Sequence, residues 1–217
     1  MHKKVFICNI INIAIFIVFS MGLSGCGVIL DKPALKVTNY SLEYEPPVTS
    51  SVRPMLPVHL KIERFASAPE YRTKKIIYRD EANVRNNYNY HSWTAYPSDI
   101  IGYFLLRDFA RSGLFKAVID FTNINISSTY IVNGILEEFY EKDEAGIRMA
   151  VVSVDIIMAY DKETDITKKI VFQQNYKAET PCTENTLKSL AAAMSKSVEN
   201  ISRRIIDDIY TILAADF

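Results

Sequence analysis

Only one side chain in this sequence has neighbours that specify a reaction. Cys26 stands directly after Leu23, Ser24 and Gly25. A thiol in that place can be alkylated, and the small residues before it leave a peptidase room to cut on its N-terminal side. Other candidates lack company. A metal site needs His, Cys or carboxylate ligands in a cluster, whereas His59 and His91 lie far apart and no Cys-x-x-Cys occurs. His59 alternates outward on a strand pattern, and His91 sits among Tyr88, Tyr90 and Trp93 as a packing residue. Neither a Gly-x-Ser-x-Gly elbow nor a phosphate-cradling glycine loop is present in a chain with 7 glycines. Glu137, Glu138 and the run Glu141 to Glu144 read as solvated charge beside a strand end, not as an acid–base pair with separated pKa values. Nothing nominates a nucleophile, so catalytic, cofactor-binding and metal-binding residues are all expected to be none, and no enzymatic activity is expected.

What precedes Cys26 gives its thiol a purpose. Lys3 and Lys4 form a short basic start, and Val5 to Met21 form an apolar stretch interrupted by Asn9 and Asn12. Basic start, apolar core and small-residue cleavage region are the order of a secretory signal. The apolar run is somewhat short for a spanning helix, which needs about 20 residues. Leu23 to Cys26 match the lipobox of bacterial lipoproteins, so residues 1–25 are expected to be removed and Cys26 to carry diacylglycerol. Full processing leaves three acyl chains, enough for stable anchoring where one chain would be marginal. Gly27, where an Asp would retain the protein at the inner membrane of enterobacteria, favours the outer membrane. The expected location is therefore a lipid-anchored domain facing the periplasm.

Charge and cysteine count narrow the partners further. The chain holds 25 Lys+Arg and 25 Asp+Glu, and losing Lys3 and Lys4 leaves about −2. No basic stripe suits nucleic acid. Cys8 leaves with the signal and Cys26 is lipidated, so Cys182 remains alone and no intrachain disulfide can form. Stability must come from a core.

The elements follow from periodicity. Residues 26–37 read as a tether and 38–217 as one domain. Thr38 to Tyr44 is a candidate first strand, and Pro46 to Pro57 is a proline-rich loop. Val58, Leu60 and Ile62 alternate with His59, Lys61 and Glu63, the period of a half-buried strand. Lys75 to Tyr78 is a short strand. Asn83 to Trp93 reads as a hairpin or long loop with Asn86 and Asn87 at the turn. Pro97 opens a helix whose stripe is Ile101, Phe104, Leu105 and Phe109, with Gly113 as its stop. Phe115 to Val118 is a short strand. Thr129 to Tyr140, Gly146 to Tyr160 and Lys169 to Ala178 form an antiparallel meander. In the second of these Ala150, Val152, Val154, Ile156 and Met158 make a fully apolar face. Thr183 caps a long C-terminal helix over 184–213, with an apolar stripe from Leu187 to Leu213 at period 3.6. The fold class is α/β: a single domain with a mixed, largely antiparallel sheet and two main helices, including the long C-terminal one.

Aromatic residues crowd the stretch from Tyr71 to Phe115. Tyr88, Tyr90 and Trp93 are candidates for a partner interface, because Tyr and Trp are enriched at binding hot spots; core packing is the alternative.

These residues also carry a family resemblance. Beyond the lipobox, the chain has Tyr40-Ser41-Leu42, the strand Val58 to Ile62 and Ile77-Tyr78-Arg79. Tyr88-x-Tyr90-x-x-Trp93-x-x-x-Pro97 follows, then a helix ending Ser112-Gly113-Leu114-Phe115, a Tyr-initiated strand over Tyr130 to Phe139 and the long last helix. In that order they resemble the ABC-type transport auxiliary lipoprotein component family, which includes the lipoprotein of the paraquat-inducible intermembrane transport system. The resemblance implies a non-catalytic docking or scaffold role in intermembrane lipid transport. The implied partners are an MCE-domain periplasmic protein and, through it, an ABC permease and ATPase; a homo-oligomer is also compatible. The alternatives are an outer-membrane assembly lipoprotein that partners a β-barrel, or a lipid-binding chaperone with a cavity of its own.

Overall fold

The computed structural model describes residues 36–47, 53–80, 84–123, 125–144 and 146–217. These fall in one unit, Lys36–Phe217. The signal segment, Cys26 and the first part of the tether lie outside the described residues.

The sheet is built around its longest strand. In chain order the strands are β1 (Thr38–Tyr40), β2 (Leu56–Ile62), β3 (Ala66–Ser67), β4 (Lys75–Arg79), β5 (Asn86–Trp93), β6 (Phe115–Asp120), β7 (Tyr130–Glu144), β8 (Ile147–Tyr160) and β9 (Ile170–Pro181). The helices are α1 (Pro97–Arg111), the one-turn α2 (Ile166–Lys169) and α3 (Leu187–Ala214). Along one edge of β7, three short strands pair in succession, all parallel to it: β2 at Val132, β3 at Leu136 and β4 at Glu141. The other edge carries the antiparallel meander β7-β8-β9. Outside these, β6 lies parallel to β2, β5 antiparallel to β4 and β1 parallel to β5. The expected mixed sheet and meander are present, with the two long ladders antiparallel and the short ones, β4–β5 apart, parallel.

One extra residue sets how β7 serves both faces. Its pairing runs from Leu136↔Val154 to Glu138↔Ser153, so Glu137 is a bulge. A strand's side chains alternate, and a bulge shifts their phase by one. Val132 and Leu136 before it, and Phe139 after it, are therefore all buried among Val152, Val154 and Met158. That is the apolar face of β8, and α3 packs on it. The other face is mixed: Val151 and Tyr140 are buried on it, with Tyr71 stacked on Tyr140, while further along Ser153 bonds Asn175 and Lys177 pairs with Glu138 at 2.7 Å.

The helices form where the periodicity places them. Pro97 occupies the first turn of α1 behind an extended Tyr96, and Gly113 takes φ 68° after its end, a conformation that costs glycine little. Helix α3 starts at Leu187, later than expected, because the cap is Thr186, whose hydroxyl accepts from the Ser189 amide at 3.1 Å. Thr183 instead meets the Ser189 hydroxyl at 3.0 Å, and so belongs to the turn before the helix. The stripe from Leu190 to Leu213 is buried.

Asn86 and Asn87 are not a turn. They pair with Tyr78 and Ile77 in the antiparallel β4–β5 ladder and so begin a strand. The carboxylates near the end of β7 also depart from expectation. Glu141 is buried, and Glu138 is ion-paired within the sheet.

Phe65 locks α1 to β7. A Cβ placed on Gly134 would lie 2.1 Å from the Phe65 ring, and one on Gly102 of α1 would lie 3.6 Å from it. The ring thus rests directly on the β7 backbone, and only glycine allows that approach. Gly134→Ala is expected to destabilise the domain by ~1–3 kcal/mol, the cost of overpacking. Thermal denaturation measures it, and adding Phe65→Leu should recover part of the loss.

Candidate interaction surface

A buried carboxylate joins the elements that carry this surface. Asp108 lies on the inward face of α1 and is 1% exposed. Its Oδ2 accepts from the Tyr44 hydroxyl at 2.8 Å and from the Ser202 hydroxyl of α3 at 2.7 Å. Its Oδ1 accepts from Arg107 Nε at 2.9 Å and pairs with Nη2 at 2.7 Å. A buried charge is tolerable when paired and hydrogen-bonded, and losing its partners costs several kcal/mol. Segment 42–47, α1 and α3 are thereby tied to a single point. Arg107 also donates to the Tyr44 carbonyl at 3.0 Å and stacks on the Tyr44 and Phe104 rings. Burial, with Asp108 beside it, drives the Tyr44 phenol well above its ordinary pKa, so it remains a donor.

This tie leaves the outer face of α1 free. Ile101, Phe104, Leu105, Asp108 and Phe109 point inward, whereas Tyr103 is 63% exposed. Two clefts flank it. The first, about 390 Å³, lies between α1 and the ends of β2 and β6, with Phe65, Leu106 and Phe121 among its apolar walls. Arg64 and Asp99 form a two-bond ion pair at its rim, 3.1 and 3.2 Å. The second, more open, is about 560 Å³ and runs between α1 and segment 42–45, over Leu42, Tyr44 and Arg107. Tyr103 lines both. An exposed aromatic between two partly apolar clefts can hold an apolar anchor; of the carboxylates at the rims, Asp99 and Glu63 are already paired with Arg64 and Lys61.

The three aromatic residues singled out in the sequence part company. Trp93 is 1% exposed and packs edge-on against Phe139 at 5.2 Å between centroids. It is a core residue. Tyr90 is exposed. Tyr88 is half-buried, stacking near Tyr78 and donating to both Glu141 oxygens at 3.1 Å. The hairpin register explains the split. Pairing jumps from Ile77↔Asn87 to Lys75↔Ser92, so 88–91 bulge away from β4.

That bulge brings Tyr88 to Glu141, whose other partner is Arg148 at 3.3 Å. Burial raises the Glu141 pKa, partly opposed by Arg148 and the Tyr88 hydroxyl. Burial, with Glu141 beside it, pushes Tyr88 up to about 12. Cys182 is half-buried nearby, and burial raises its thiol pKa. His91 Nδ1 meets the Tyr40 hydroxyl at 3.3 Å. His59 is half-buried, not outward in solvent, because β2 lies between β6 and β7. Among the described residues, no group of three or more His, Cys, Asp or Glu could hold a metal ion.

Sequence reading missed Asp108, Ser202 and Tyr103. A signal existed for Asp108, an acid at an inward position of the α1 stripe; none marked Ser202 as its partner.

No protein-family model and no curated protein matches the chain. Solved structures match by fold. The chain overlays protein XCC0632 from Xanthomonas campestris, of family DUF330, at TM-score 0.74 and 15% identity, covering 83% of this chain and 98% of that one. An uncharacterized protein overlays at 0.61 and 11% identity, covering 80% and 99%. The hypothetical protein CT253 from Chlamydia trachomatis overlays at 0.52 and 9% identity, covering 74% and 99%. At these identities the likeness is one of fold.

Two outcomes follow from the geometry. Trp93→Ala is expected to cost ~3–5 kcal/mol of stability, while Tyr90→Ala should stay within ~0.5 kcal/mol; urea unfolding of each single variant separates them. Glu141 also makes stability depend on pH. The folded chain holds this proton more tightly than the unfolded one, so stability falls as pH rises from the ordinary carboxylate range through the raised value. Glu141→Gln should remove that fall, measured by denaturant midpoints across about pH 4–7.

Proposed function

We propose that this chain is a lipid-anchored periplasmic component of an ABC/MCE-type intermembrane lipid transport system, with a docking rather than a catalytic role. The observation that carries the reading is a pairing of two features. A lipobox at Cys26 precedes a domain with the fold of the DUF330 protein from Xanthomonas campestris. The exposed surface around Tyr103 adds a place for a partner to bind. Lipid at Cys26 would hold the domain on the outer membrane, facing the periplasm. The MCE-domain protein would dock on the outer face of α1, and a separate permease and ATPase would supply the energy.

A second reading has one observation in its favour. The first cleft has apolar walls built from Phe65, Leu106 and Phe121, and cavities of this size accept small ligands. A lipid-binding chaperone would use it for part of an acyl chain.

The lipidated protein, purified from detergent-extracted native membranes, should bring down an MCE-domain protein identifiable by mass spectrometry. Tyr103→Ser should reduce that capture about tenfold or more, as for a hot-spot aromatic, without altering the circular dichroism spectrum. A β-barrel protein in place of the MCE protein would move the assignment to outer-membrane assembly. Co-purifying lipid with neither partner would favour the chaperone.

A further inference from the structure

Five strands end together on one side of the domain. In spatial order they are β5, β4, β7, β8 and β9, and the register places the start of β5, the end of β4, the end of β7, the start of β8 and the end of β9 at one rim. β1 runs parallel to β5 from Thr38↔His91, so the chain before β1 enters from that rim. Two large apolar residues stand exposed on it, Val84 before β5 and Ile147 at the β7–β8 turn, the last 55% exposed, and exposed Val37 and Tyr90 lie further in on the same side of the sheet's β5 edge. Single exposed apolar residues are ordinary. Here they share a rim with the entry point of a segment read as a lipidated tether.

We infer that this rim lies on the surface of the lipid bilayer, with Ile147 and Val84 inserted among the acyl chains. The inference rests on the lipoprotein reading and goes beyond it, because it orients the domain. Chain connectivity limits the reach of the anchor: the stretch from Cys26 to Lys36 spans at most ~35 Å fully extended. β7, with 15 residues, is ~50 Å long, so the rim by the tether is the one most readily held at the membrane. The rim carries more acidic than basic residues, with Arg79, Arg85, Lys142 and Arg148 among Asp80, Glu141, Asp143, Glu144, Glu179 and Glu184. Lys142 and Arg148 already pair with Glu179 and Glu141. Attraction to the membrane is therefore apolar rather than electrostatic. It adds to the anchor by high effective concentration and sets orientation more than affinity. The opposite end, where Met55, Ile170 and Phe217 are exposed, is left facing the periplasm.

Tryptophan quenching by brominated lipid tests this in the full lipidated chain. Ile147→Trp, Val84→Trp and, at the far end, Ile170→Trp are each reconstituted into phosphatidylcholine vesicles with brominated acyl chains. The parent protein supplies the Trp93 background. Quenching of the Ile147→Trp and Val84→Trp proteins is expected to exceed that of Ile170→Trp at least about twofold. Equal quenching at both ends, stronger quenching at Ile170→Trp, or none at any site overturns the inference. Vesicle flotation of the parent beside Cys26→Ser is read separately. If the parent floats only with Cys26 intact, the lipoprotein reading stands whatever the quenching gives; if flotation ignores Cys26, that reading fails on its own.

Discussion

One strand has to satisfy four others. β7 bonds β8 along its whole length on one edge and β2, β3 and β4 in turn on the other. Every parallel partner must therefore be delivered to a set position along it. The chain from β2 to β4 does this as one interrupted strand, stepping along the β7 edge while loops and the 3-10 turn Pro69–Tyr71 take up the slack. The Glu137 bulge then keeps the buried face continuous where a strict alternation would have turned Phe139 to the other side. Twist and curl of the sheet follow from a long strand with different neighbours at its two ends.

Onto that sheet the helices are fastened by polar contacts at defined points as well as by apolar area. Asp108 collects bonds from segment 42–47, from its own helix and from α3. Tyr176 donates to Asp208 of α3 at 2.7 Å and so pins the same helix to β9. Buried polar groups tolerate few alternative arrangements, because an unmade bond in a low-dielectric interior is costly. Apolar packing alone would allow α1 and α3 to slide; the hydroxyls and the carboxylate set their register. The outer face of α1, with Tyr103 between two clefts, is presented as a consequence.

A domain held in this way suits a docking role. Its pKa-shifted groups make structural contacts: Tyr44 donates to the buried Asp108, the buried Tyr176 to Asp208 on the exposed side of α3, and Glu141 is held between Tyr88 and Arg148. The exposed aromatic and apolar residues are spread over distinct regions, at the rim where β4 and β7 end, at the opposite end and on α1. In the proposed docking role, the first would face the membrane and the last the partner.

The sequence by itself determined what depends on local order. The strand alternation of Val58 to Ile62, the meander and the stripes of α1 and α3 are all properties of consecutive residues, and periodicity exposes them. It also placed Gly113 and Pro97 correctly, since their backbone demands are local. Tertiary structure alone decided the rest. Trp93 and Tyr90 look alike in sequence, yet a register shift against β4 buries one and exposes the other. Asn86 and Asn87 have turn-forming chemistry, yet pairing with β4 draws them into a strand. Asp108 and Ser202 meet across two helices, and Phe65 reaches Gly134 across the sheet. Such contacts join residues far apart in the chain, and no local preference encodes which distant group will complete them.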